Sequence, residues 1–245
     1  MSDWLLDLGN SRLKLAVLAA DAAHGPVRAV AHAAIKRVVA EDASVGPGDT
    51  AWLASVAAAA VLDPLVAILQ ARGLRVERVT TRAREGRLQI AYPDPHTLGV
   101  DRFLALLAAS VRDDGPWVVV SAGTALTADV LATDGRHLGG VIAAMPADMR
   151  AALARRVPAL DVPGGDVRAL GTDTADAIAS GAAHAACGLV ERIARVAKLQ
   201  CGAEPMVLVA GGGAQALRAL DVPRLQSAPT LVLAGLAAYA RARSD

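Results

Sequence analysis

Aromatic side chains make up only 2% of this 245-residue chain: three Trp, two Tyr and one Phe. That leaves few of the stacking platforms on which single-strand nucleic-acid binders rely. An excess of one charge is missing too. Lys and Arg total 25 against 24 Asp and Glu, a net charge of +1, so no broad field draws nucleic acid or an anionic membrane. The two cysteines, Cys187 and Cys201, lack metal-ligand spacing and are too few for a disulfide framework. Reduced thiols in a cytoplasmic protein are expected. The apolar stretch 227–240 falls short of a membrane span, and no basic segment precedes an apolar core at the start. Neither a membrane anchor nor a secretory signal is expected. No G-x-x-x-x-G-K-[ST] and no G-x-G-x-x-G occurs, so no P-loop or Rossmann fingerprint supports a nucleotide site.

What remains is a globular composition, 54% hydrophobic and 20% charged, with a core of Ala, Val and Leu. Strand-like and helix-like segments alternate. WLLDL (4–8) and LKLAVLA (13–19) flank a G-N pair as a hairpin, and VRAVAHA (27–33) reads as a third strand. Helix 35–41, strand 50–56, helix 62–73 ending at Gly73, strand 74–80 and helix 101–114 follow. The second half repeats the theme. WVVVS (117–121) reads as a buried strand, 123–135 as a turn and second strand, and 136–143 as a third. Helices are expected at 147–156 and 172–198, a strand, glycine turn and helix over 205–220, and a last helix over 230–243. Both halves thus suggest one duplicated β-β-β-α-β-α unit. The polar DDGP (113–116) marks the boundary, giving domains 1–114 and 115–245.

Four stretches carry chemistry. In DLGNSRLK (7–14), Asp7 closes a strand, Gly9 permits close backbone approach, and Asn10, Ser11 and Lys14 offer polar groups. Turn N–H groups and hydroxyls could hold phosphate oxygens, and the carboxylate could hold Mg²⁺ directly or through water. A plain hairpin with Asp7 as a turn residue accounts for the same letters. GTALTAD (123–129) again sets a glycine and hydroxyls after a buried strand. Two such loops at equivalent points of two halves could clamp one polyphosphate. In YPDPHTLGVDR (92–102), Asp101 and Arg102 open a helix. An acid there suits the helix dipole, and equally a carboxylate that accepts a hydroxyl proton during phosphoryl transfer. The glycines at 139–140 and 211–213 allow either a nucleotide's approach or close packing. His24, His32, His96, His137 and His184 are scattered without ligand spacing and read as structural or surface residues, with some interest kept for His96.

Taken in order, DLGNSRLK, YPDPHTLGVDR, AGTALTAD, LGGVI and TDTADAIASG (172–181) resemble the type III pantothenate kinases over nearly the whole chain. The resemblance implies an α/β fold of the acetate and sugar kinase, Hsp70 and actin superfamily. Two ribonuclease-H-like halves, each a mixed β-sheet flanked by helices, would surround a central cleft. It implies ATP-dependent phosphorylation of pantothenate to 4'-phosphopantothenate, the first step of coenzyme A synthesis, by a homodimer with no nucleic-acid or membrane partner. Carried over by position, Asp7, Leu8, Gly9, Asn10, Ser11, Arg12, Leu13 and Lys14 would form the first phosphate loop, with Asp7 toward Mg²⁺. Gly123 and Thr124 would contact ATP. Tyr92, Gly99, Val100, Asp101 and Arg102 would hold pantothenate, Asp101 as general base, and Thr174 would contact it from the second half.

Three departures from the family pattern stand out. Ser11 replaces a usual Thr and keeps the hydroxyl. Ala144 and Met145 replace a usual Pro-Gly, with Pro146 shifted on, so that loop is expected to be remodelled. Ser121 stands where the family carries the aspartate that binds an activating monovalent cation, K⁺ or NH₄⁺. A hydroxyl brings no net charge to offset desolvation of the ion, so K⁺ activation is expected to be weak or absent. Two rival readings follow: a catalytically weakened relative with a regulatory or accessory role, and a same-superfamily kinase for another small alcohol.

Overall fold

The computed structural model describes residues 3–19 and 24–244, with the side chain of residue 244 left aside. The chain divides into two compact units. The first comprises residues up to 113 with 134–137 and 230–245, and the second 114–133 with 138–229.

In the first unit, strands β1 (Trp4–Leu8), β2 (Arg12–Val17), β3 (Arg28–Ala31), β4 (Thr50–Ser55) and β5 (Arg75–Arg78) form one sheet in the order β3-β2-β1-β4-β5. β1 runs antiparallel to β2 and parallel to β4. All five residues of β1 are buried, as expected of a central strand covered on both faces. Trp4, Leu6 and Leu8 belong to one apolar cluster with Val39 of α1 (Ile35–Glu41) and Leu62, Leu65 and Leu69 of α2 (Ala59–Ala71). A short ribbon, β6 (Arg84–Glu85) with β7 (Leu88–Gln89), precedes α3 (Val100–Ser110). Leu5 and Asp7 alternate onto the sheet face opposite Trp4 and Leu6, beside Trp52 and Ala54 of β4 in the strand register.

The second unit repeats this plan. β8 (Trp117–Ala122), β9 (Ala125–Leu131), β10 (His137–Ala144), β11 (Met206–Ala210) and β12 (Leu225–Ser227) take the order β10-β9-β8-β11-β12. β8 is antiparallel to β9 and parallel to β11, the same relations as in the first sheet. Val118, Val120 and Val130 join Ala186, Val190 and Ala194 of α5 (Thr174–Cys201) in a second apolar cluster. Helix α4 (Pro146–Arg156) precedes α5. α5 starts on an Asp173 side chain that accepts the Asp176 N–H and ends at Gly202 with φ +71°. The expected pair of mixed α/β halves is therefore present, with one strand order used twice.

Three details differ from the sequence reading. The helix expected over 205–220 is only a 3₁₀ segment, Ala214–Leu217. Gly213 is held back by its N–H to the Ala122 carbonyl at 2.8 Å, and Pro223 with strand β12 follows at once. α3 stops at Ser110 rather than running through the DD pair, and β6, β7 and β12 are too short to show a period. The last helix, α6 (Leu231–Ser244), groups with the first unit, although the cut at 114 places it in the second half. It packs on α3 and on β1 and β4, where Tyr239 meets Trp52 and Phe103 edge-on at 6.3 and 6.4 Å. Its counterpart was not visible locally, because an apolar Ala-Leu helix carries no label of the sheet it will cover.

Candidate active site

Asp7 lies at the end of β1, 9% exposed, with Lys14 directly across the β1–β2 ladder. Burial pushes its carboxyl up from 3.8 to about 6. Lys14 pulls it down, and the charge of Asp101 pushes it further up. A buried carboxylate raised in this way lacks a full share of positive charge, and its chemistry fits a hard divalent cation. Ala54, its neighbour on β4, is small and itself buried.

The turn that follows is closed by the Gly9 N–H donating to the Arg12 carbonyl at 3.1 Å. A nitrogen of His32, Nε2, lies 3.0 Å from the Gly9 carbonyl and braces the turn from its outer side. Asn10, Ser11 and Arg12 are exposed at the tip, whereas Leu8 and Leu13 are fully buried and can offer only backbone groups to a ligand. The contact fits the structural or surface role read for His32 from sequence, although a lone histidine 23 residues from a turn gives no local signal of which turn it will brace.

Asp101 sits in the first turn of α3, where a carboxylate suits the positive end of the helix. Its Oδ1 accepts the Arg102 backbone N–H at 2.9 Å, and a Cβ on Gly99 would stand 2.6 Å from that oxygen. Glycine at 99 is thus what lets the carboxylate fold back over the approach to the helix. That approach is itself held by the Thr81 hydroxyl, which donates to the Leu98 carbonyl at 2.8 Å. Arg102 is 7% exposed, and its Nη1 donates to the Tyr92 hydroxyl at 3.3 Å, with Cζ 5.8 Å from the Tyr92 ring centre. Val100 is buried and Tyr92 half-buried. The first unit therefore gathers Asp7, Lys14, Tyr92, Asp101 and Arg102. His96 is apart from this group, its N–H given to the Asp94 side chain on the surface.

The second unit carries the matching turn. Gly123 N–H donates to the Ala125 carbonyl at 3.1 Å, and Gly123 and Thr124 are exposed. Ser121 holds the place on β8 that Asp7 holds on β1, one residue before the strand's end. On its sheet face it pairs with Thr127, and Asp129 lies two residues further along β9. Asp129 is 1% exposed, and its Oδ1 fills the space a Cβ at Gly140 would need, 2.1 Å away on β10. In the order β10-β9-β8 this carboxylate leans away from Ser121. Ser121 thus has no carboxylate turned toward it from β9, and these residues do not fit a charged monovalent-cation site.

Nearby, Gly211 at φ +97° lies so close to the Ala122 carbonyl that a Cβ would stand 2.3 Å from its oxygen. Met145 is 8% exposed and caps α4 with Pro146 at the first helical position. Its methyl end would lie 2.7 Å from a Cβ on Gly213, so the altered loop packs its new side chain against the glycine turn. Thr174 is the exposed first residue of α5.

Comparison with known proteins shows the family of the chain. The sequence model of the family described as Type III pantothenate kinase matches residues 4–196. A type III pantothenate kinase of Xanthomonas euvesicatoria pv. vesicatoria is 48% identical over 245 residues, covering all of both chains. Among solved structures, a Baf-family protein of Campylobacter jejuni superposes with a TM-score of 0.59 at 18% identity, covering 98% of each chain. MreB 5 of Spiroplasma citri superposes with a TM-score of 0.51 at 10% identity, covering 99% of this chain and 97% of its own. These two carry the fold alone. A family match across most of the sequence and identity at nearly half the residues with a relative covered over its full length place this chain in the type III pantothenate kinase family.

Proposed function

We propose that this chain transfers the γ-phosphoryl group of ATP to the primary alcohol of pantothenate, giving 4'-phosphopantothenate and ADP at the start of coenzyme A synthesis. The observation that carries the reading is the assembly, in one unit of a family member, of a buried Asp7 beside Lys14 with Asp101 and Arg102 at the start of α3.

Residues 7–14 serve as one phosphate loop and Gly123 with Thr124 as a second, through turn N–H groups and exposed hydroxyls. Asp7 would hold Mg²⁺, directly or through water, and the ion would supply charge neutralisation for the polyphosphate. Tyr92 and residues 99–102 hold pantothenate, and Thr174 adds a contact. Asp101 accepts the proton of the alcohol as its oxygen bonds to the γ-phosphorus. The bond from that phosphorus to the β–γ bridging oxygen breaks, and ADP leaves with the electron pair. A homodimer in the cytoplasm is part of the same reading. Among the described residues no helix is long and apolar enough to cross a membrane.

ADP release measured with Mg²⁺ and either pantothenate or simple sugars and alcohols tests the proposal. Release that depends on pantothenate supports it. Equal release with unrelated alcohols, or none with pantothenate, rejects it.

A further inference from the structure

A histidine outside every motif stands against the centre of this site. His137 is 3% exposed, and its ring stacks on Tyr92 with centroids 5.9 Å apart and planes 21° from parallel. The Ala91 N–H donates to its Nδ1 at 3.4 Å, which assigns the ring proton of the neutral form to Nε2. Two consecutive residues of the 91–92 segment are thus held by one side chain, the backbone through Ala91 and the ring through Tyr92.

His137 is itself fixed. It follows a turn in which the Asp134 carboxylate accepts both the Arg136 N–H and its Nε, at 3.0 and 2.7 Å. Gly135 takes φ +90° and lies against Arg87, whose carbonyl oxygen would be 2.2 Å from a Cβ there. The Gln89 N–H donates to the Gly135 carbonyl at 2.9 Å, and Gln89 forms a bridge with Arg136. Residues 134–137 accordingly belong to the first unit although they lead from β9 into the first residue of β10. No ligand spacing links position 137 to Tyr92; only the fold brings them together.

We infer that His137 is a positioning residue of the acceptor-substrate site, setting the Tyr92 ring and, through the Tyr92 hydroxyl, the guanidinium of Arg102. The inference rests on the reading that Tyr92 and Arg102 hold pantothenate. Tyr92 has two side-chain torsions to fix, and its hydroxyl is the point at which Arg102 is bonded. Without the stacked ring the phenol can rotate, and the guanidinium loses a defined partner at the place where an anionic or polar acceptor is gripped. The phosphate loop at residues 7–14 is not touched by this chain of contacts, so the effect falls on acceptor binding and not on ATP.

The test uses the full chain with His137→Ala, His137→Phe and His137→Asn. Phe keeps a flat ring for the stack but cannot accept from Ala91; Asn keeps an acceptor but has no ring. His137→Ala is expected to raise the KM for pantothenate about tenfold, inside the roughly 10²-fold that a misplacement of about 1 Å can cost. The KM for ATP and kcat should stay within about twofold, the pattern of lost acceptor binding rather than lost chemistry. His137→Phe should restore most of the pantothenate KM, and His137→Asn should not.

An unchanged pantothenate KM in His137→Ala, a rescue by Asn but not Phe, or an equal decline in every constant overturns the inference. Should His137→Ala not fold, Phe against Asn decides alone. Backbone hydrogen exchange of the Tyr92 amide, which is not itself bonded to His137, separates this proposal from the functional one. If the wild type does not phosphorylate pantothenate, the proposed function fails. Faster exchange in His137→Asn than in His137→Phe then still supports the positioning role, and equal exchange rejects it.

Discussion

Asp7 shows what burial of a carboxylate costs in stability. Its carboxyl titrates near 6 instead of 3.8 because the fold removes it from water. The folded-state value lies above the unfolded one, so ionisation works against folding. The penalty is absent below about pH 4, grows as the pH rises toward 6, and is constant above it. Asp7→Asn should therefore be as stable as the wild type at pH 4 and more stable above pH 6, by up to about 3 kcal/mol from roughly two pKa units. Denaturant midpoints from pH 4 to 8 in Mg²⁺-free buffer measure this, and a difference that does not change with pH would reject the role given to burial. The same variant should lose kinase activity. Asp101 offers the contrasting case. Its bond to the Arg102 N–H is one a carboxamide oxygen can also accept, so Asp101→Asn should keep its melting temperature while kcat falls about 10²–10⁴-fold. Near-full turnover would remove Asp101 from the base role. At Ser121 the prediction concerns what is missing. With no carboxylate there and Asp129 leaning toward Gly140, turnover should hardly change when K⁺ replaces Na⁺ at constant ionic strength. A strong rise would show that a cation site survives.

Helices α3 and α6 pack closely. A Cβ on Gly235 would stand 1.8 Å from the Leu104 carbonyl oxygen, so the helices touch backbone to backbone. No rotamer relieves that clash, since the intruding atom is the first of any side chain. Gly235→Ala should push α6 off α3 and cost at least the roughly 1–3 kcal/mol typical of overpacking. A fall in the urea midpoint with an unchanged m-value would confirm it. Because α3 carries Asp101 and Arg102 on its first turn, pantothenate affinity should fall in the same variant. Helix α3 was legible in sequence, as was nearly every long element, because apolar residues recur with a helix or strand period. Its end was not: the helix closes at Ser110, whose hydroxyl donates to the Leu107 carbonyl at 2.8 Å, a local bond that no periodicity reports.

Across the whole molecule, the chain returns its last helix to the unit with which it began. Leu233, Leu236 and Ala240 of α6 are fully buried there, and Arg243 forms a paired ion bridge with Glu85 at 3.0 and 2.7 Å while lying 3.5 Å over Tyr239. Removing residues 231–245 should strip one face of the first sheet and leave an aggregation-prone protein, read as loss of soluble monodisperse material on size exclusion. A soluble, active truncation would mean that α6 is dispensable to the first unit.

What the sequence determined by itself is the alternation of elements, the repeat of three strands followed by helix and strand in each half, and the two glycine turns with their acid and hydroxyl residues. These depend on neighbours in the chain, where period, turn chemistry and motif spacing are written. Only the tertiary structure decided that Asp7 is buried with Asp101 near it and that Asp129 turns from Ser121. The same holds for the placing of His32 and His137 behind the turn and the tyrosine. Most of those facts join residues tens of positions apart, and burial and charge act through space, which no local pattern of letters records.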